Sequence, residues 1–314
     1  GLGIPAEPLF RSASKMKHIV CLTKCYNYDD LAVWFKYHDK LGYRIHLIDN
    51  DSDEEVMNGV MPYLIEGTNH TYEKLSGWPN QWQLFSDILN QNRYDFEEGD
   101  LVAFIDDDEY LWYYFDYWKL VEQYRPEFKD KVYEPMEDFV NNQMKRQTDM
   151  DLPGCVLVPQ TLMSTHDLWL GDRVEPYVRT HFYRRNDAST QGKAIVKYDP
   201  KFYYDFTIKT GEEYGHVPVI WELKKNNKDT ATRLSLVNGV GISKSTYGDV
   251  DYNACLRLYH YHIKSELDWE KKINRGSAAV DHQWYATDVR ANKYFGGYNT
   301  TDFTMVETFK LLEL

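Results

Sequence analysis

A chain of 314 residues can bury a large core, as one elaborated domain or two modest ones. A net charge of −13 sets most of the surface against nucleic acid and anionic membrane, and the absence of any run of about 18 apolar residues excludes a spanning helix. The four cysteines include no C-x-x-C pair, so zinc-finger spacing is missing; reduced thiols in a cytoplasmic protein, of a bacterium or of a virus-infected host cell, are the expectation.

Residues 1–15, "GLGIPAEPLFRSASK", have neither a basic nor an apolar signal region and read as a tail or expression scar ahead of a native start at Met16. "KHIVCLTK" (17–24) is a short apolar run of strand formers. In "DDLAVWFKYHDKLG", Leu31, Trp34, Phe35, His38 and Leu41 recur at helical spacing, with acids at the start and Gly42 as the stop. "YRIHLIDNDSD" is a second strand, ending in acids and turn formers. Strand, helix and strand in this order imply parallel pairing with a right-handed crossover. "GWPNQWQLFSDILNQN" predicts a helix with Pro79 near its first turn, and "GDLVAFIDDDEYL" a strand launched from Gly99. Beyond about residue 116 the pattern loosens into helix and loop. "CVLVPQTLM", "YVRTHFYRR" and "KAIVKYDP" then read as strands, and "SELDWEKKINRG" as a late helix. The fold class is therefore α/β, a Rossmann-like, mainly parallel sheet flanked by helices with an elaborated C-terminal half. The expected organisation is one domain over 16–314, with a first half at about 16–115 and a C-terminal half at about 116–314.

The strongest chemical signal is "LVAFIDDDEYLWYYF" (101–115), where a buried strand runs into four consecutive acids. Like charges so crowded need a cation or a proton to relieve them. Parallel sheets bind ligands beyond the carboxyl ends of their strands, and both acidic clusters, Asp49 to Asp53 and Asp106 to Glu109, fall at such ends. Hard carboxylate oxygens favour Mg2+ or Mn2+, and such an ion would neutralise a diphosphate leaving group.

Three blocks, "WFKYHDKLGYRIHLIDNDSD", "FIDDDEYL" and "HYHIKSELDWEKKINRG", occur in an order that resembles the family-2-like and family-92-like glycosyltransferases of GT-A fold. The resemblance runs from Met16 to about Gly276, and it implies a nucleotide-sugar half at about 16–115 and an acceptor and C-terminal half at about 116–314. It implies transfer of a sugar, hexose or pentose, from a nucleotide-sugar (UDP foremost) to an acceptor hydroxyl, with inversion and with Mn2+ or Mg2+ as cofactor. Asp106 and Asp108 match the family's D-x-D pair, Asp106 facing ribose or metal and Asp108 binding the metal. Glu109 matches the acid that follows. Asp49 and Asn50 match the D-N pair near base and ribose, and Gln81 a glutamine before a helix. His260 matches the histidine of H-Y-x-x-K-S, a third metal ligand. His262, two residues on, points the same way in an extended segment and shares that candidacy. Lys264 and Arg275 could reach the diphosphate. Val33 replaces the family's acid before Trp34, "CYN" (25–27) replaces its K-N-E, and Trp269 stands for the family's Phe.

An inverting enzyme also needs a base beside the acceptor. "STHDLWLGDRVE" (164–175) stands where the family places its acceptor-side loop, which makes Asp167 the first candidate, with His166 and Asp172 behind it. Trp78, Trp82 and Trp169 are expected in the core, with sugar stacking as the other use. The acceptor is expected to be a glycan. The alternative is a hydroxymethylated base in phage-type DNA, with Lys224, Lys225, Lys228, Arg233, Arg184 and Arg185 on phosphates. Two further classes, a non-catalytic sugar-binding module and a metal-dependent nuclease or phosphatase, accommodate the acids or the three blocks less well. The oligomeric state is open.

Overall fold

The structure, a computed structural model, describes residues 15–25, 27–66, 69–122, 135–164, 177–185, 192–208, 217–222, 232–234, 256–262, 266–275 and 298–314. The first half alternates strand and helix: β1 (Lys17–Thr23), α1 (Tyr28–Lys40), β2 (Arg44–Asp49), α2 (Glu54–Glu66), β3 (Thr71–Lys74), α3 (Gln81–Asn90) and β4 (Leu101–Phe104). Then come β5 (Glu109–Tyr113), α4 (Tyr114–Glu122), α5 (Met136–Asp149), β6 (Cys155–Ser164), β7 (Tyr183–Arg185), β8 (Gly192–Lys197), β9 (Phe202–Asp205), β10 (Val219–Glu222) and β11 (Thr232–Leu234). The described residues close with β12 (Leu256–His260), α6 (Glu266–Arg275), β13 (Tyr298–Thr301) and α7 (Thr304–Leu311).

The main sheet runs β13-β7-β6-β8-β4-β1-β2-β3, with β12 pairing both β6 and β5, and β9 to β11 form a separate small sheet. β3, β2, β1 and β4 are mutually parallel, whereas β8 is antiparallel to both β4 and β6. This is the α/β sheet expected from the sequence, parallel through its first half; beyond β4 it is mixed rather than mainly parallel, because β8, β7 and β13 join antiparallel. α2 and β3 were not anticipated. The predicted strand through the acids divides in two, because a turn closed by Glu109 N–H donating to the Asp106 carbonyl separates β4 from β5. "YVRTHFYRR" also divides, into a 3-10 turn (Tyr177–Arg179) and the short β7.

Strand β1 is buried along its whole length, and its period of two sends side chains to both faces. Ile19 and Cys21 join Ile45, Leu47, Leu101 and Ala103 under α1 and α2. Val20 and Leu22 join Ile48, Val102, Phe104 and the α3 face. Helix α1 begins at Asn27, whose side chain accepts from Asp30 N–H, and ends at Gly42 with φ of 82°, a left-handed conformation that glycine adopts without strain. Many of the tyrosines serve as core: Tyr37, Tyr110, Tyr113, Tyr177, Tyr204, Tyr259 and Tyr261 are fully buried.

The inner face of α1 does more than fill space. β5 pairs with β12, and α1 side chains engage its backbone as well. Trp34 Nε1 donates to the Glu109 carbonyl (2.7 Å) and Tyr37 Oη to the Leu111 carbonyl (2.8 Å). Leu111 N–H donates to His38 Nε2 (3.3 Å), so the ring's proton lies on Nδ1, which donates to the Trp34 carbonyl (3.0 Å). The W-x-x-Y-H block thereby anchors the strand that follows the acids.

That hydrogen-bonding scheme needs a neutral His38, and burial pushes its pKa down from 6.5 to about 3. Burial, reinforced by neighbouring His18, takes His46 down to about 2. Below pH 6.5 the unfolded chain binds protons that these folded sites refuse, so their contribution is present above that pH and is lost as pH falls. In urea titrations between pH 6 and 4, His38→Gln should therefore flatten the slope of unfolding free energy by about 1.4 kcal/mol per pH unit, one proton's worth. An unchanged slope would show that His38 is not held neutral.

Candidate functional site

The acids lie where two parts of the sheet meet. β4 ends at Phe104, Ile105 N–H still bonds to the Val20 carbonyl, and the chain then turns through Asp106–Glu109 into β5. Asp107 turns toward β1 and accepts from Thr23 Oγ1 (2.6 Å). Glu109 is 1% exposed and folds back to accept from Asp106 N–H (2.8 Å). β12 arrives from the other end of the chain, pairing His260 opposite Glu109, and Tyr261 N–H donates to the Asp108 carbonyl (2.9 Å).

His260 and His262 thereby come beside the acids, while residues 263–265 of "HYHIKS" lie outside the described residues. His260 Nε2 lies 3.4 Å from Asp108 Oδ1, and its Nδ1 is 2.9 Å from Gln160 Oε1 and 3.7 Å from Glu109 Oε1. Asp108, His260 and His262 offer ligand atoms within 4.8 Å of one another, and Asp106, Asp108 and Glu109 form a second such group that shares Asp108. Carboxylate oxygens with imidazole nitrogen suit a divalent cation such as Mn2+, so the donor set fits the expected cofactor.

Two lysines that the sequence reading did not single out sit inside this cluster. Lys193, at the start of β8, donates to Asp106 Oδ2 (3.1 Å) and lies 3.6 Å from Glu109 Oε2, with its side chain 7% exposed. It gets there because β8 runs antiparallel to β4, which brings its first residues to the carboxyl end of β4. On its other side Gly192 lets β8 lie close against β6, since a β-carbon there would collide with the Val158 carbonyl oxygen. A lysine opening the apolar run "KAIV" was the available signal. Lys272, on α6, donates to Asp108 Oδ2 (3.2 Å). It stands three residues after Trp269 inside a block already quoted for its resemblance.

The remaining candidates divide. Asp49 and Asn50 lie at the carboxyl end of β2, both buried, and both brace loops. Asp49 accepts from Ser52 N–H and Tyr72 Oη, while Asn50 Nδ2 donates to the Leu75 and Gly77 carbonyls (2.8 Å each). Gln81 is buried at the first turn of α3. The loop that Asn50 braces carries Trp78, which is 51% exposed rather than in the core, whereas Trp82 is buried as expected. Asp167, His166, Asp172, Trp169, Lys264, Lys224, Lys225 and Lys228 lie outside the described residues, as do the side chains of Arg185, Arg233 and Arg275. Arg184 is turned toward Asp302 at 3.7 Å, with its side chain only 15% exposed.

The electrostatics follow from burial set against two cations. Burial drives the Glu109 carboxyl up to about 7, more than Lys193 can offset. Burial also raises Asp106, but Lys193 and His260 outweigh it and leave that carboxyl below the ordinary range. Burial lowers His260, yet Asp108 and Glu109 prevail and its pKa is raised. A carboxyl whose folded pKa is raised keeps its proton where the unfolded chain releases it. Without added cation, Glu109 should thus cost stability as pH rises from about 4.5 to about 7. Glu109→Gln should remove this part of the decline in thermal scans in EDTA. A variant with the wild-type pH profile would contradict a buried protonated Glu109.

No family model matches the chain, and no curated protein matches it in sequence. Among solved structures it is similar to residues 1–349 of S. aureus TarS, with 12% identity and a TM-score of 0.34, over 78% of this chain and 60% of that one. It is also similar to GalNAc-T7 in complex with UDP, GalNAc and Mn2+, with 10% identity and a TM-score of 0.35, over 95% of this chain and 56% of that one. The chain thus spans less than two thirds of either protein's length, and at such scores no site residue or ligand transfers from them.

Proposed function

We propose that the protein is a glycosyltransferase that binds a nucleotide-sugar, UDP-linked foremost, through Mn2+ or Mg2+ and transfers the sugar to an acceptor hydroxyl with inversion. The observation that carries this reading is the convergence of Asp106 and Asp108 with His260 and His262, from segments far apart in the sequence, at the carboxyl edge of parallel strands, where such sheets bind ligands. The bound cation would supply charge neutralisation of the donor diphosphate. Asp108 and His260 are its foremost ligands, with Asp106 and His262 beside them. Lys193 keeps Asp106 ionised and ready to meet the cation or the ribose. Asp49 and Asn50 fix the loops beyond β2 against which base and ribose would rest. Trp78 presents an aromatic face on the neighbouring loop, suited to a sugar ring, which favours a glycan acceptor. Asp167, with His166 and Asp172 behind it, remains the proposed base.

The test is a panel of nucleotide-sugars assayed for donor hydrolysis with Mn2+, beside thermal shifts with UDP. UDP should raise the melting temperature only when Mn2+ or Mg2+ is present, and Asp108→Ala should abolish that dependence and lower hydrolysis by a factor of about 100 or more, the scale of losing a key electrostatic group. Equal stabilisation by UDP in EDTA would defeat the cation bridge. Labelled sugar is then offered to simple glycosides and to hydroxymethylated DNA. Transfer to glycosides is expected, and transfer to DNA alone would overturn the glycan acceptor.

A further inference from the structure

The Lys272 ammonium lies where three acceptors converge. Asp108 Oδ2 is 3.2 Å away, and His262 Nδ1 and the His262 carbonyl oxygen are each 3.3 Å away. An ammonium only donates, so His262 Nδ1 must meet it with its lone pair. A metal ion held through His262 Nδ1 would use that lone pair, together with the Asp108 carboxylate. Asp108 and His262 are also two of the three members of the candidate cation cluster. The lysine thus rests on two side chains that a divalent cation at this cluster would draw on. Lys193 holds two members of the second group, Asp106 and Glu109, but it is almost fully enclosed and touches neither histidine.

We infer that Lys272 is the resident counter-ion of the cation site, displaced from Asp108 and His262 when the divalent ion binds and then taken up by the donor diphosphate. The inference rests on the reading of a nucleotide-sugar site and names the residue that couples cation to donor. A divalent ion arriving alone has to expel an ammonium and leave it without an anion in a half-buried position, which is costly. A diphosphate bound to that ion supplies the anion, and the long, flexible lysine stem lets the ammonium follow it. Each ligand then makes the other's binding easier, and by linkage the effect is equal in both directions. Lys272 is a positioning residue for the donor and competes with the metal.

The measurement is Mn2+ affinity, from the paramagnetic signal of free Mn2+, for wild type, Lys272→Met and Lys272→Arg, each without nucleotide and with saturating UDP. Circular dichroism checks that each variant folds. Lys272→Met should bind Mn2+ alone more tightly by roughly tenfold, the scale of one charge-assisted contact. Its gain from UDP should be smaller than in wild type. Lys272→Arg, which keeps the charge, should stay near wild type, and this covers the case in which the methionine variant does not fold. Should the arginine variant alone be measurable, Mn2+ affinity far above wild type would overturn the inference. Mn2+ affinity of Lys272→Met that is unchanged or weaker, while Asp108→Asn abolishes binding, would overturn the role of Lys272 and leave the cation site standing. Absence of Mn2+ binding from wild type and Lys272→Met alike, with and without UDP, would overturn both.

Discussion

Four consecutive acids at the end of a buried strand are tolerable only because each is answered separately. Asp106 meets Lys193, Asp107 meets Thr23, Asp108 meets His260 and Lys272, and Glu109 turns back onto the chain that precedes it. A buried charge is expensive unless paired and hydrogen-bonded. Much of the rest of the structure can be understood as delivering these partners. β8 must run antiparallel to β4 to bring Lys193. β12 must slot between β5 and β6 to bring His260, and α6 must follow β12 closely to bring Lys272.

The same constraint explains why the first helix is so rich in hydrogen-bonding aromatics. The turn of acids can hold its geometry only if β5, directly after it, is fixed. Trp34, Tyr37 and His38 fix it through backbone groups, which constrain position without depending on the side chains of β5. A helix built only of leucines would bury as much apolar area and leave those backbone groups unsatisfied, at a cost of about 1–3 kcal/mol each.

The first half, from β1 to β4, was legible from its pattern. Strand and helix periods differ, glycines such as Gly42 and Gly99 mark the turns, and acids at strand ends stand out against apolar runs. The pairing of His260 with the acids was legible only through the resemblance of blocks, since nothing local in "HYHIKS" says where it folds. Lys193 and Lys272 escaped for a different reason. A lysine is ordinarily a solvated residue, and only the direction of β8 and the placement of α6 turn these two inward. Trp78 escaped because its exposure depends on how Asn50 and Asp51 hold the loop, through bonds to Leu75, Gly77 and Gly77 N–H, rather than on its own neighbours in sequence. Asp167, His166 and Asp172 lie outside the described residues, so their placement rests on the sequence alone.

The position of β12 has a consequence for how the molecule is made. It joins β5, more than 140 residues earlier, to β6, about 100 residues earlier. A ribosome extends the chain at roughly 5–20 residues per second, so the acids emerge many seconds before the strand that completes their surroundings. During that interval β5 has neither its β12 partner nor His260 and Lys272, and the acidic turn faces water, where its charges are cheap. Closure of the site is therefore a late event of high contact order, and slow for that reason. The first half can order itself first around β1, β2 and β4, and the desolvation of the acids is deferred until the cations that offset it have been synthesised.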